Sequence, residues 1–140
     1  MTTVIDQQVA ARAIARVSEM PHHAFDAKTF AHMLRVEPAA LIDPFLGIDA
    51  FNMPECFFLP HPHGGMSAIT LLFSDSPGGV RNRDSMGDDS IIEAGDLHWT
   101  QADKGIIHEE TPSVIGQPAV GLQIFVNMAK QKKYMDAAVF

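Results

Sequence analysis

The clearest signal in the chain is an alternation of short apolar runs with turn-forming segments. From Phe57 onward the runs FFL, AITLLF, SIIEA, LHWT, GII and GLQIFVNM are separated by HPHGG, SDSPGG, NRDSMGDD, EAGD, QADKG and a Pro-containing loop at 111–118. Six or more short strands, evenly spaced and bounded by turn residues, predict a sandwich or barrel. The intervals are too short for crossover helices, so the sheets are expected to be antiparallel. Upstream, Phe30 to Val36 also reads as a strand, with Phe30, His32, Leu34 and Val36 on one side and Ala31, Met33 and Arg35 on the other. Residues 5–19 follow a different period. Ile5, Val9, Ala13, Ile14 and Val17 fall on one helical face in an Ala-rich segment, which predicts a short N-terminal helix. Pro38 and the Asp43-Pro44 pair break the next stretch, and DPFLGIDAF (43–51) reads as an apolar loop or short strand. There is no internal repeat and no low-complexity tract.

GLQIFVNM carries apolar residues on both faces, with Leu122, Ile124 and Val126 on one and Phe125 among Gln123 and Asn127 on the other. A strand apolar on both sides is covered on both sides. One barrel covers only one of them, so a symmetric homodimer is the simplest expectation.

Composition supports this reading. At 140 residues with 46% hydrophobic and 19% charged positions, the chain suits one globular domain. Nine prolines and ten glycines favour many turns over a helix bundle. A formal charge of −7, with no basic run beyond KQKK at 130–133, argues against direct nucleic-acid binding. The KQKK cluster is expected to be a solvated strand end. No apolar stretch reaches the roughly 20 residues needed to cross a bilayer, so no membrane association is expected. MTTVIDQQVAARAIARVSEM lacks the apolar core of a signal peptide, and the single Cys56 leaves no internal disulfide. Both point to a reducing, cytoplasmic setting.

Two short motifs carry chemistry. In His61-Pro62-His63 the histidines stand at i and i+2, on one face of a strand, and can converge on one ion with metal–nitrogen distances of about 2.1 Å. Taken alone, such a pair is more often two surface histidines near a turn. His108-Glu109-Glu110 repeats the spacing, with His108 and Glu110 on one face, although both glutamates also suit a solvated strand. Jointly the pairs supply three nitrogens and one carboxylate, a set for a divalent first-row metal with open positions left for substrate. Two strands of one barrel can bring them together.

HPHGG at 61–65, RDSMG at 83–87, AGDLHW at 94–99, KGIIHEE at 104–110 and GLQIFVNM at 121–128 resemble the pirin family of the cupin superfamily. DPFLGIDAF resembles that family's LDPF-type segment, and the resemblance covers roughly residues 30–130. It implies an all-β fold, a cupin-type β-barrel built as an antiparallel double-sheet jelly roll, at 30–140 behind an N-terminal extension at 1–29. It further implies one metal, iron in most members, held by His61, His63, His108 and Glu110. Zinc, nickel and manganese suit the same donors. Some pirins are quercetin 2,3-dioxygenases in which the metal-bound carboxylate, here Glu110, accepts a flavonol proton. Others act through protein partners.

This sequence departs from the family in three places. Pirins usually have two barrels and about twice this length, so a surface covered by their second barrel is expected to be covered by another copy of this chain or to be polar. Gly64 replaces the usual Arg after H-x-H, removing a cation and widening the entrance. Ser67 stands where cupins commonly have an acidic ligand, which makes Glu110 the natural carboxylate. His98 sits where ordinary cupins place a third histidine ligand, in Glu93-Ala94-Gly95-Asp96-Leu97-His98, whereas pirins more often have Gln. It can compete for the metal, line the cavity or hydrogen-bond a substrate; the latter two weigh more, because His108 and Glu110 complete the pirin pair.

Of the remaining candidates, Trp99 should face opposite His98, toward core or interface. Cys56 is expected to be a small buried hydrophobe, and His22-His23 a solvated loop. His32 is assigned to a strand's polar or interface side. Met53, Phe58 and Met66 flank the ligand strands, as pocket wall or core. Two functions follow: an iron-dependent dioxygenase acting on a flavonol- or enol-type small molecule, or a non-enzymatic, metal-dependent regulatory or protein-binding module. A structural homodimer with a vestigial site is a third reading.

Overall fold

Alternating strands need partners on both sides, and the turn residues between them let neighbours in sequence fold back on one another. The computed structural model describes residues 19–24, 30–34, 42–56 and 59–140, and among these it has two antiparallel sheets. The first takes, from edge to edge, β1 (His22–Ala24), β2 (Phe30–Leu34), β3 (Phe45–Met53), β10 (Ala119–Asn127), β5 (Met66–Leu72), β8 (Leu97–Gln101) and β11 (Ala138–Val139). The second takes β4 (His61–His63), β9 (Ile106–Pro112), β6 (Val80–Asp84) and β7 (Asp89–Ile92). This is the all-β double-sheet fold expected from the turn spacing. The helix expected over 5–19 lies outside the described residues, apart from Glu19. Arg35 and Val36, assigned by sequence to the second strand, lie outside them too, as do Phe57 and Phe58.

Both sheets contribute to the core. Met53 and Leu72 from the first meet Val80 and Ile92 from the second, with Ala119 beside them and Phe51 packed against the group. A second cluster joins Ala102, Ile106 and Ala137, with Val139 against it. Removing a side chain such as Leu72 from water contributes about 1.5–3 kcal/mol. No helix among the described residues is long and apolar enough to cross a membrane.

Four local expectations are corrected. The segment at 43–51 does not end as a loop or short strand, because Phe45–Met53 is a nine-residue strand. Pairing with β2 on one side and β10 on the other outweighs the low strand preference of Gly47, Asp49 and Asn52. His22 and His23 are in an edge strand paired with β2, exposed as expected but not in a loop. Cys56 is exposed rather than buried, since β3 ends at Met53 and the chain turns outward. The KQKK cluster forms a turn after β10, in which Lys133 Nζ donates to Asn127 Oδ1 at 2.7 Å.

Candidate metal centre

Strand register builds the site. His61 pairs directly with His108 across β4 and β9, and His63 lies two residues along β4 on the same inward face. Pro62 and Ile107, between them, point outward and are exposed. The three imidazole rings form a near-equilateral triangle, with all three centroid separations at 4.9 Å. One ligand atom from each lies within 4.8 Å of the others. The expected histidine trio is thus brought together.

Hydrogen bonds orient two of these rings. His61 Nδ1 lies 3.0 Å from the Leu59 carbonyl, and His108 Nδ1 lies 3.1 Å from Asn82 Oδ1. Both partners accept, so both Nδ1 atoms carry the proton and each Nε2 is the nitrogen that keeps the lone pair a metal ion takes. His63 Nε2 stands 3.1 Å from His108 Nε2. Neighbouring ligands at right angles on one ion with bonds of about 2.1 Å would stand about 3.0 Å apart. Burial pushes His63 down to about 4, helped by the charge of His61. Burial also lowers His108 to about 3, helped by His63, His61 and His98. At neutral pH both rings are therefore uncharged, each with one nitrogen lone pair to offer, and the donor set fits a divalent first-row metal.

Glu110 is on the same inward face of β9, but outside the histidine trio. It is buried, and its Oε1 accepts the Thr70 hydroxyl at 2.6 Å. Thr70 also meets Gln123 Oε1 at 3.0 Å. Burial raises Glu110 to about 7, against the opposing pull of the Thr70 bond. The carboxyl lines a cavity of about 60 Å³ with Ala31, Met33, Asp49, Phe51, Met53 and Gln123. Phe125, in turn, stands 6.0 Å from His63, ring to ring.

The other sequence candidates fall around this centre. His98 is inward on β8, opposite Thr70, and outside the trio. It is buried with Nε2 lacking a hydrogen-bond partner, and it lines a separate cavity of about 310 Å³ with Asp88, Ser90 and Asp96. Trp99 faces outward, opposite His98 as expected. Ser67 is fully buried on the other face of β5, donating to Met128 Sδ. Gly64 is exposed, and a Cβ there would meet nothing nearer than the Asp103 carbonyl at 4.0 Å, so the entrance beside His63 is open.

Sequence reasoning missed Thr70, Gln123, Asn82 and Asp88. Thr70 had a usable signal, as the one polar residue among the inward positions Met66, Ala68, Thr70 and Leu72 of β5.

The profile described as Pirin matches residues 17–126. Pirin-like protein 2 of Arabidopsis thaliana is 36% identical over 97 residues, covering 69% of this chain and 29% of that protein. Among solved structures, a Geobacillus kaustophilus protein superposes with a TM-score of 0.82 at 26% identity, over 91% of this chain and 50% of that one. A bacterial pirin from Escherichia coli in complex with nickel(II) gives 0.72 at 19% identity, over 86% and 53%. A quercetin 2,3-dioxygenase from Acinetobacter baumannii gives 0.70 at 20% identity, over 88% and 42%. This chain spans about half, or less, of the length of these proteins.

Proposed function

The chain belongs to the pirin family, and from that membership and its three converging histidines we propose that it is a metal-dependent cupin acting as a dioxygenase on an enol-type small molecule. The observation that carries this reading is the equal-sided triangle of His61, His63 and His108, in which His61 and His108 are oriented through Nδ1. Glu110 is proposed as the fourth donor and the acid–base group. Iron is the proposed ion, on family resemblance; the E. coli pirin is the nickel precedent. The ion would supply Lewis acidity and, as iron, redox chemistry toward dioxygen.

The chain's own residues supply the rest. In metal-free protein burial raises the Glu110 carboxyl to about 7; beside a bound ion it would be held ionised, the form that takes an acidic enol proton. The Thr70 hydroxyl holds Oε1, so Oε2 is the oxygen proposed to meet the ion and a substrate hydroxyl beside it. Met33, Phe51 and Met53 offer apolar contact and keep water from the carboxyl.

Size selects among substrates. Drug-sized ligands occupy about 300–1,000 Å³, and the cavity beside Glu110 holds about 60 Å³. A small enol fits this better than a whole flavonol. The same observation favours the second reading, a metal-dependent regulatory module that recognises another protein and turns nothing over.

Protein loaded with Fe(II) and supplied with oxygen should consume it with a small enol and more slowly with quercetin. Oxygen uptake no faster than in a His61→Ala/His63→Ala control would remove the dioxygenase reading. If partner capture then failed only in that control, the regulatory reading would stand.

A further inference from the structure

A histidine binds metal through Nε2 only when its proton sits on Nδ1, and the partner of Nδ1 decides this. For His108 that partner is Asn82, fully buried on the inward face of β6. An amide is ambiguous by itself, because the side chain can present either its oxygen or its nitrogen to the ring. The ambiguity is resolved one residue further away. Asn82 Nδ2 donates to Asp88 Oδ2 at 2.8 Å, and Ser90 Oγ donates to the same oxygen at 2.6 Å. An ionised carboxylate only accepts, so the amide nitrogen must face Asp88 and the amide oxygen must face His108. The Ser90 bond, then Asn82, hold the Asp88 carboxyl below its usual range, against burial.

Asp88 is itself fixed in place. Asp84 Oδ1 accepts from the backbone nitrogens of Met86, at 2.7 Å, and Asp88, at 3.1 Å. Gly87 between them has φ +97°, a conformation that suits glycine and closes the β6–β7 turn tightly. The backbone of Asp84 also pairs with that of Asp88 at 3.1 Å. A rigid hairpin thus delivers a carboxylate to the far side of the Asn82 amide.

We infer that Asp88, acting through Asn82, sets the tautomer of His108 and thereby keeps its Nε2 available to the ion. Asp88 and Asn82 are positioning residues, and neither belongs to the histidine trio. The inference rests on the metal reading for its purpose, but the tautomer itself can be read in metal-free protein.

The test combines Ni²⁺ titration with ¹⁵N chemical shifts of the His108 ring in metal-free protein. Asp88→Ala frees the amide to turn over. It is expected to weaken Ni²⁺ binding by about 10–100-fold and to move His108 away from the Nδ1-protonated pattern. Asn82→Asp combined with Asp88→Asn exchanges the two groups: the new carboxylate accepts from His108 and from the new amide. This swap is expected to restore both the Nδ1-protonated pattern and Ni²⁺ affinity to within a few-fold of the parent, which a merely structural role would not predict. The inference is overturned if Asp88→Ala keeps the parent tautomer, or if the folded swap leaves both readouts where Asp88→Ala puts them. Failure of the parent protein to bind Ni²⁺ at all would sink the metal reading instead, while the ring shifts would still decide the tautomer.

Discussion

Glu110 and two histidines of the trio, His63 and His108, would carry opposite charges if ionised, yet burial removes charge from both. His63 and His108 are lowered to about 4 and about 3, and Glu110 is raised to about 7. For Glu110 the folded value lies above the unfolded 4.5, so the folded protein holds the proton more tightly. Its favourable contribution is complete below about pH 4.5 and is lost as pH rises toward about 7. Glu110→Gln removes that loss while keeping an oxygen for the Thr70 hydroxyl. In metal-free protein the substitution should leave stability unchanged at pH 4.5 and raise it by up to ~3 kcal/mol above pH 7. Denaturant melts at the two pH values check this. Equal effects at both would mean that the carboxyl is not desolvated as its burial indicates.

At the scale of elements, β10 organises the larger sheet, pairing with β3 on one side and β5 on the other. At Gly121 the backbone of β5 comes so near that a Cβ would run into the Leu71 carbonyl. Backbone cannot yield as a flexible side chain does, so Gly121→Ala is expected to cost about 1–3 kcal/mol, read as a lower urea midpoint at unchanged slope. A substitution within 0.5 kcal/mol of the parent would show that β10 can shift along β5. Apolar runs bounded by turn residues made most of these strands legible in the sequence, including β5, β8 and β10. That signal failed for β3, where inward Gly47 and Asp49 break the pattern and only pairing with two neighbours restores a strand. The histidine pairs were legible because each lies at i, i+2 on one strand. The Asp88–Asn82–His108 chain was not, because it joins the β6–β7 turn to β9 across 20 or more residues of sequence.

At the scale of the molecule, the outward face of the seven-stranded sheet is the feature that sequence pattern and strand register describe together. Register aligns Leu34, Ile48, Ile124, Ile69 and Trp99 in one row across five strands. The next row holds His32, Ala50, Leu122, Leu71 and Leu97. Leu97 is 52% exposed and Trp99 37%, at the β8 end of these rows. Nine of ten aligned positions are apolar, far from the alternation of a sheet that shows one face to water. Ile69, in the middle of the first row, is already buried, so a two-fold pairing of copies would act at the β8 end, covering Leu97 and Trp99 in an isologous arrangement. Light scattering at micromolar concentration should then give twice the chain mass, and Leu97→Lys with Trp99→Lys should return the monomer. Because both side chains point away from the histidine trio, Ni²⁺ affinity should be unchanged in that variant. A parent protein that scatters as a monomer would remove the pairing. Loss of Ni²⁺ binding on separation would show instead that the trio depends on the partner copy.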